Sequence, residues 1–186
     1  MPLIERGVVT GARKRFHRGR LDIAEVMGTR RLFDFVHDNA IIDMEPSSYV
    51  HDPEVVARLD RFVAVNSALE VDLTGQVTAE SLGARQIAGI GGQFDFVLGA
   101  SRSLGGAAVI ALPSTTRSGT GRVSRIVPRL ASGARVTTPR FLPDWIVTEF
   151  GAARLRGRGE HERARALIAV AHPDFREALE RAATSS

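Results

Sequence analysis

The residues best suited to do chemistry are those of Gly89-Ile90-Gly91-Gly92-Gln93-Phe94-Asp95-Phe96-Val97-Leu98-Gly99-Ala100. Glycines permit positive φ and let a ligand approach the main chain closely. Successive amides in such a turn form a nest that binds anions or partial negative charge. The same spacing also suits a tight loop between packed elements, so alone it leaves both readings open. Carboxylates stand at Glu5, Glu25, Glu45, Glu70, Glu80 and Glu149. Of these, Glu149 ends an apolar run, where an acid is ordinarily a hydrogen-bonded structural group. The chain has no cysteine, which excludes disulfides, thiolate metal ligation and thiol redox chemistry, and no metal site is expected.

The elements that must position these groups read as α/β. Arg31-Leu32-Phe33-Asp34-Phe35-Val36-His37-Asp38-Asn39 predicts a short helix ending near Asn39, with its aromatics in the core. Asp52-Pro53-Glu54 predicts a helix start, because Asp52 can accept orphan amides and proline suits the first turn. Phe62-Val63-Ala64-Val65 and Leu69-Glu70-Val71-Asp72-Leu73 read as strands, the second with Glu70 and Asp72 on one face and a turn at Thr74-Gly75. Ala107 to Pro113 and Trp145 to Thr148 predict buried strands, and Arg122 to Val127 a half-exposed one. The tail from Glu160 to Ala183 is helical, broken at His172-Pro173-Asp174, with Asp174 expected to cap the last helix. With no repeat or linker to divide the chain, residues 1–186 are expected to form a single domain, an open mixed and mostly parallel sheet flanked by helices.

Charge and hydropathy narrow the class. The chain has 186 residues and a formal net charge of +4, with Lys14 the only lysine. The positive groups are scattered, apart from Gly11 to Arg20, which reads as a solvated turn or strand edge. No signal-peptide pattern opens the chain and no run approaches about 20 apolar residues, so a soluble, cytoplasmic protein without membrane contact is expected. A basic nucleic-acid-binding protein is the alternative of another class. It would require clustered cations and aromatic stacking positions, whereas most phenylalanines here lie in apolar runs.

The order of segments resembles the acetyl-CoA hydrolase/transferase family, which includes butyrate- and hydroxybutyrate-type CoA-transferases. The residues that carry the resemblance include Gly28-Thr29-Arg30-Arg31-Leu32-Phe33-Asp34-Phe35, Asn66 to Val77 and the Gly-Gly-Gln-Phe-Asp-Phe loop. It continues through Ile110-Ala111-Leu112-Pro113-Ser114-Thr115, Val147-Thr148-Glu149-Phe150-Gly151 and Ala171-His172-Pro173-Asp174-Phe175-Arg176. The resemblance is to a carboxy-terminal half of class I CoA-transferase-like fold. It implies a second α/β domain, an active site between the two, and a glutamate that attacks the acyl-CoA thioester.

In the family that glutamate lies in a Gly-x-His-(Thr/Ser)-Glu segment, and no such segment occurs in these residues. The nucleophilic Glu is therefore expected from an amino-terminal half. The resemblance further implies that Gly91 and Gly92 bring amides to the thioester carbonyl, that Gln93 and Asp95 hold their loop, and that Arg117 and Arg122 meet the CoA moiety. His51 stands where the family usually has Asn, either as an altered oxyanion donor or as a residue that merely leads the helix. The implied substrates are an acyl-CoA and a short-chain carboxylate or water, with coenzyme A as substrate rather than a permanent cofactor. The implied partner is an amino-terminal half or a second copy. A catalytically incompetent fragment that retains CoA binding or self-association is the alternative.

Overall fold

A computed structural model describes residues 1–119 and 121–184. The amino-terminal third carries short elements: α1 (Pro2–Glu5), β1 (Leu21–Ile23), α2 (Arg30–Val36), β2 (Ile42–Met44), α3 (Ser47–Val50) and α4 (Pro53–Ala57). Then follow β3 (Val63–Asn66), β4 (Glu70–Asp72), β5 (Val77–Thr78), β6 (Ser81–Leu82), β7 (Arg85–Gln86), α5 (Gln93–Arg102) and β8 (Ala107–Ala111). The chain continues with β9 (Thr115–Ser118), β10 (Gly121–Ser124), β11 (Ile126–Val127), β12 (Trp145–Thr148), β13 (Gly151–Arg154), α6 (Glu160–Val170) and α7 (Pro173–Thr184).

The central sheet has the order β13-β12-β8-β3. β3, β8 and β12 run parallel and β13 is antiparallel to β12. β11-β4-β5 form a second mixed sheet, and β1-β2, β6-β7 and β9-β10 are separate pairs. The architecture is thus α/β with open mixed sheets and flanking helices. Parallel pairing predominates in the central sheet and makes up the β1–β2 pair, while β6-β7 and β9-β10 are antiparallel and the second sheet is mixed.

Apolar alternation explains the core. Ala64, Ala108, Ile110, Ile146 and Ala153 point to one side of the central sheet. There Ala108, Ile110, Ile146 and Ala153 join Val97 of α5 and Leu167 and Ile168 of α6, with Val71, Val77 and Ile126 of the second sheet in the same cluster. Asp72 is buried at the β4–β5 turn. It is stabilised because it accepts hydrogen bonds from Thr74 N (3.0 Å), Thr74 Oγ1 (2.7 Å), Gln76 N (3.0 Å) and Gln76 Nε2 (2.8 Å). No residue before Val56 is buried. Among the described residues no helix is long and apolar enough to cross a membrane.

Several local expectations hold and others do not. Asp52 caps α4, accepting from Glu54 N at 2.8 Å. Helix α2 stops at Val36, and Asp38 rather than Asn39 takes the left-handed conformation (φ 49°). Asn39 instead uses its side chain, donating to Phe35 O and accepting from Ile41 N. Phe33 is 47% exposed rather than in the core, since α2 has nothing to pack it against on that side. The run from Arg122 to Val127 is not one strand. It breaks at Arg125, whose amide donates to Ser114 O, so that β10 pairs with β9 and β11 with β4. Asp174 does not cap α7: its amide donates to His172 Nδ1 at 3.2 Å, so His172 does the capping.

One helix contact sets the geometry of the site. A Cβ built on Gly99 of α5 would lie 2.5 Å from Val56 Cβ and Cγ1 and 3.2 Å from Pro53 O of α4. Alanine in place of glycine inside a helix ordinarily stabilises by about 0.5–1 kcal/mol. Here the sign reverses, and Gly99→Ala is expected to destabilise by about 1–3 kcal/mol through overpacking, read from the midpoint of chemical denaturation.

Candidate functional site

The glycine-rich loop ends as the start of α5. Gly91 has φ 57°, which favours glycine, and Gly92 is the helix N-cap without a side-chain cap. The first amides of a helix lack intrahelical acceptors, and the helix dipole makes that end electropositive. Because α5 is part of a parallel crossover between β3 and β8, it runs back against the strands. Its start therefore lies toward their carboxyl ends, the edge where open α/β sheets bind ligands. Gln93 is buried and donates from Nε2 to Thr138 Oγ1 at 3.1 Å, which ties the helix start to the segment beside β5. Asp95 lies half-buried in the first turn.

His51 closes over this loop. It ends α3 and immediately precedes the Asp52 cap of α4, so the α4–α5 contact carries it to the start of α5. A Cβ on Gly92 would meet the imidazole at 2.9 Å from Cε1 and Nδ1 and 3.0 Å from Nε2. Phe96, one turn into α5, holds the same ring edge-on, with centroids 5.0 Å apart. The structure thus brings His51, Gly91 and Gly92 together. Backbone amides and an imidazole N–H meeting at one point can stabilise negative charge developing on a carbonyl oxygen.

Arg117 and Arg122 lie elsewhere in the fold. They face each other across the exposed β9–β10 hairpin, whose turn residue Thr120 lies outside the described residues. Arg122 contacts His172 Nε2 at 2.8 Å and pairs with Asp174 at 3.7 Å. Glu149 follows β12 and is exposed, not buried. Its carboxylate accepts from Ser114 Oγ at 2.6 Å and from Ser114 N at 2.9 Å, and those bonds lower its pKa below the ordinary glutamate value. Glu70 shifts the other way: burial raises its pKa, partly opposed by Arg125, and its Oε2 has no hydrogen-bond partner.

A cavity of about 1020 Å³ lies beside the loop, between the amino-terminal segment and α4. It shares Phe96 with the His51 contact and is walled by Phe16, Phe62 and Val63. On its rim Asp22 pairs with Lys14 and with His17 Nδ1 at 2.6 Å. Burial alone would raise the Asp22 pKa, but the hydrogen bonds it accepts from Lys14 and His17 bring it below the usual value. His17, Asp22 and Asp43 could present ligand atoms within 4.8 Å of one another. The carboxylates are already engaged by Lys14 and Arg20, which makes this an ion-pair network.

Sequence reasoning missed Phe96 as the support of His51, Thr138 as the anchor of Gln93 and Ser114 as the holder of Glu149. The last two pair residues more than thirty positions apart, and no local pattern signals them.

The fold and this loop define an α/β domain that presents a glycine-rich helix start at the carboxyl edge of a parallel sheet. The acetyl-CoA hydrolase/transferase C-terminal domain matches residues 28–183, and the chain belongs to that family. It is 48% identical over 179 residues to the 4-hydroxybutyrate coenzyme A transferase of Clostridium kluyveri, covering 96% of this chain and 41% of that one. The acetyl-CoA hydrolase of Saccharomyces cerevisiae is 33% identical over 177 residues, covering 88% of this chain and 32% of that one. The crystal structure of RipA from Yersinia pestis superposes with a TM-score of 0.89 at 45% identity, covering 99% of this chain and 41% of that one. The chain therefore spans about two-fifths of the length of the transferase and of RipA.

Two predictions come from this geometry. Gly92→Ala is expected to cost about 1–3 kcal/mol by displacing the imidazole, and most of that cost should vanish in a His51→Ala background. A double-mutant denaturation cycle measures this coupling, and additivity of the two changes would contradict it. The second concerns pH. The depressed Glu149 pKa means that its bond to Ser114 contributes stability above the ordinary carboxylate range, lost as pH falls through the folded pKa. The stability difference between wild type and Ser114→Ala should therefore shrink on acidification from pH 6 to about 3, by a small amount because the carboxylate is exposed.

Proposed function

We propose that residues 1–186 form one carboxy-terminal domain of an enzyme acting on short-chain acyl-CoA thioesters, a CoA-transferase or acyl-CoA hydrolase. The observation that carries this reading is the seating of His51 on Gly92 at the start of α5, in a chain of this family. The thioester carbonyl would lie against the Gly91 and Gly92 amides, with an imidazole N–H as a further donor. Gln93 supports the loop from below through Thr138, and Asp95 adds to its first turn. Arg117 and Arg122 would meet the phosphate-bearing part of coenzyme A.

The nucleophile is a glutamate in the remaining three-fifths of the family's length. Its carboxylate oxygen bonds to the acyl carbon while the C–S bond breaks, giving a mixed anhydride and CoA thiolate. The thiolate then attacks the glutamyl carbonyl and expels the acyl group as a free carboxylate, leaving glutamyl-CoA. An acceptor carboxylate reverses the sequence in the transferase, and water resolves the intermediate in the hydrolase. In each addition the negative charge builds on a carbonyl oxygen, where amides and an imidazole N–H are useful. Thioester chemistry needs no bound cofactor in this scheme.

The test is turnover of acetyl-CoA and butyryl-CoA, with and without acetate. It compares this chain alone with the chain joined to the remaining part of the Clostridium kluyveri relative. Turnover is expected only in the joined protein, falling at least tenfold on Gly92→Ala, and turnover by the chain alone would overturn the placement of the nucleophile.

A further inference from the structure

The acceptor that resolves a glutamyl-CoA thioester decides whether a base is needed. A carboxylate is already anionic and attacks as it stands, whereas water is a poor nucleophile until a neighbouring group takes one of its protons. Imidazole suits that task near neutral pH, because it takes up and returns a proton there more readily than any other ordinary side chain. Which side chains stand free at the glycine loop therefore bears on which acceptor is used.

The sequence has five histidines, at positions 17, 37, 51, 161 and 172. His17 is bonded to Asp22, and His172 accepts from the Asp174 amide and contacts Arg122. His37 and His161 are exposed, at the end of α2 and in α6. His51 stands at the loop, and its ring is held by packing alone, against Gly92 and edge-on to Phe96. Among the described residues neither of its ring nitrogens has a hydrogen-bond partner, so the seating leaves both free for a ligand. The side chain is half-buried, and solvent reaches it. Tyr49 and Val50, the two residues before it, line the cavity of about 1020 Å³ together with Phe96, which leaves ample room for water beside the ring. Asp52, the next residue, has a carboxylate oxygen engaged by the Glu54 amide.

We infer that His51 is the general base that lets water resolve the intermediate, which gives the enzyme built on this domain a hydrolytic branch. The inference rests on the glutamyl-CoA intermediate proposed above and adds a second task for the same ring. A neutral imidazole has one donor and one acceptor nitrogen. In the water step the carbonyl oxygen rests on the Gly91 and Gly92 amides, and the acceptor nitrogen of His51 takes a proton from the water as its oxygen bonds to the glutamyl carbon. The C–S bond breaks with its electron pair on sulfur, and the imidazolium returns the proton to the thiolate. The products are the glutamate carboxyl group, which ionises to solvent, and coenzyme A as the thiol. A carboxylate acceptor brings no proton to remove, so transfer does not use this function of the ring.

The test separates a base from a mere donor. His51→Gln keeps an N–H donor but has no basic nitrogen. The chain joined to the remaining part of the Clostridium kluyveri relative is given butyryl-CoA and acetate, and initial rates of both products are read by mass spectrometry in one reaction. Acetyl-CoA counts transfer and free coenzyme A counts hydrolysis. Their ratio does not depend on how much of a variant is folded, since both products come from the same molecules. The ratio of hydrolysis to transfer is expected to fall by roughly tenfold or more in His51→Gln, as loss of a general base implies. An unchanged ratio overturns the inference and leaves His51 a donor only. A fall of that size in Asp95→Asn with none in His51→Gln also overturns it, in favour of that carboxylate. Transfer without hydrolysis in the unsubstituted joined protein refutes the hydrolytic branch while leaving the proposed function standing, whereas no turnover of either kind refutes both.

Discussion

The contact between α4 and α5 determines where everything at the site lies. Gly99 lets Val56 and the Pro53 carbonyl approach the α5 backbone closer than any side chain would allow. α4 is a short helix, and His51 sits directly ahead of its Asp52 cap, so the approach of the helices fixes the approach of the imidazole to Gly92. Two glycines seven residues apart on α5 thus admit two neighbours, one to pack and one to close over the loop. Phe96 lies between them in sequence, edge-on to His51 and stacked with Phe62, the residue before β3.

The loop itself is held from beneath by polar bonds in an otherwise apolar setting. Gln93 would be costly to bury without a partner, and Thr138 supplies one from a segment that also bridges to Val77. Asp72 plays the same part at the neighbouring turn, where its oxygens take amide and side-chain donors from Thr74 and Gln76. Burial of polar groups with satisfied bonds specifies the turn geometry more tightly than apolar packing does. Glu70, two residues before Asp72, is the contrast: one of its oxygens is left unpaired, and its raised pKa reflects that burial.

What was legible in the sequence is what local chemistry decides. Asp52-Pro53-Glu54 has its cap, its proline and its acidic first turn in three consecutive residues, and α4 begins there. Alternation gave β4, and continuous apolar runs gave β8 and β12. The glycine loop was visible by composition, but its place at the start of α5 was not, since the same residues suited a tight loop between packed elements equally well. The misreadings share a cause. Phe33 was assigned to the core by type alone, yet burial requires something to pack against. The break at Arg125 depends on an amide bonded to Ser114, eleven residues away and on another strand connection. Likewise His172 displaces Asp174 as the cap of α7 because its own ring turns back to the amide. The seating of His51 on Gly92 joins residues forty-one positions apart, and only the resemblance, never spacing, linked them.

The distribution of burial gives the site a particular dependence. His51 comes from the part of the chain before Val56, where no residue is buried, whereas Gly91 and Gly92 come from the packed remainder. The two are joined through α4, a helix of five residues whose packing rests on one glycine. Elements with few buried contacts open at low cost, so the seating of the imidazole on Gly92 rests on the α4–α5 contact and on Phe96 rather than on burial of its own segment.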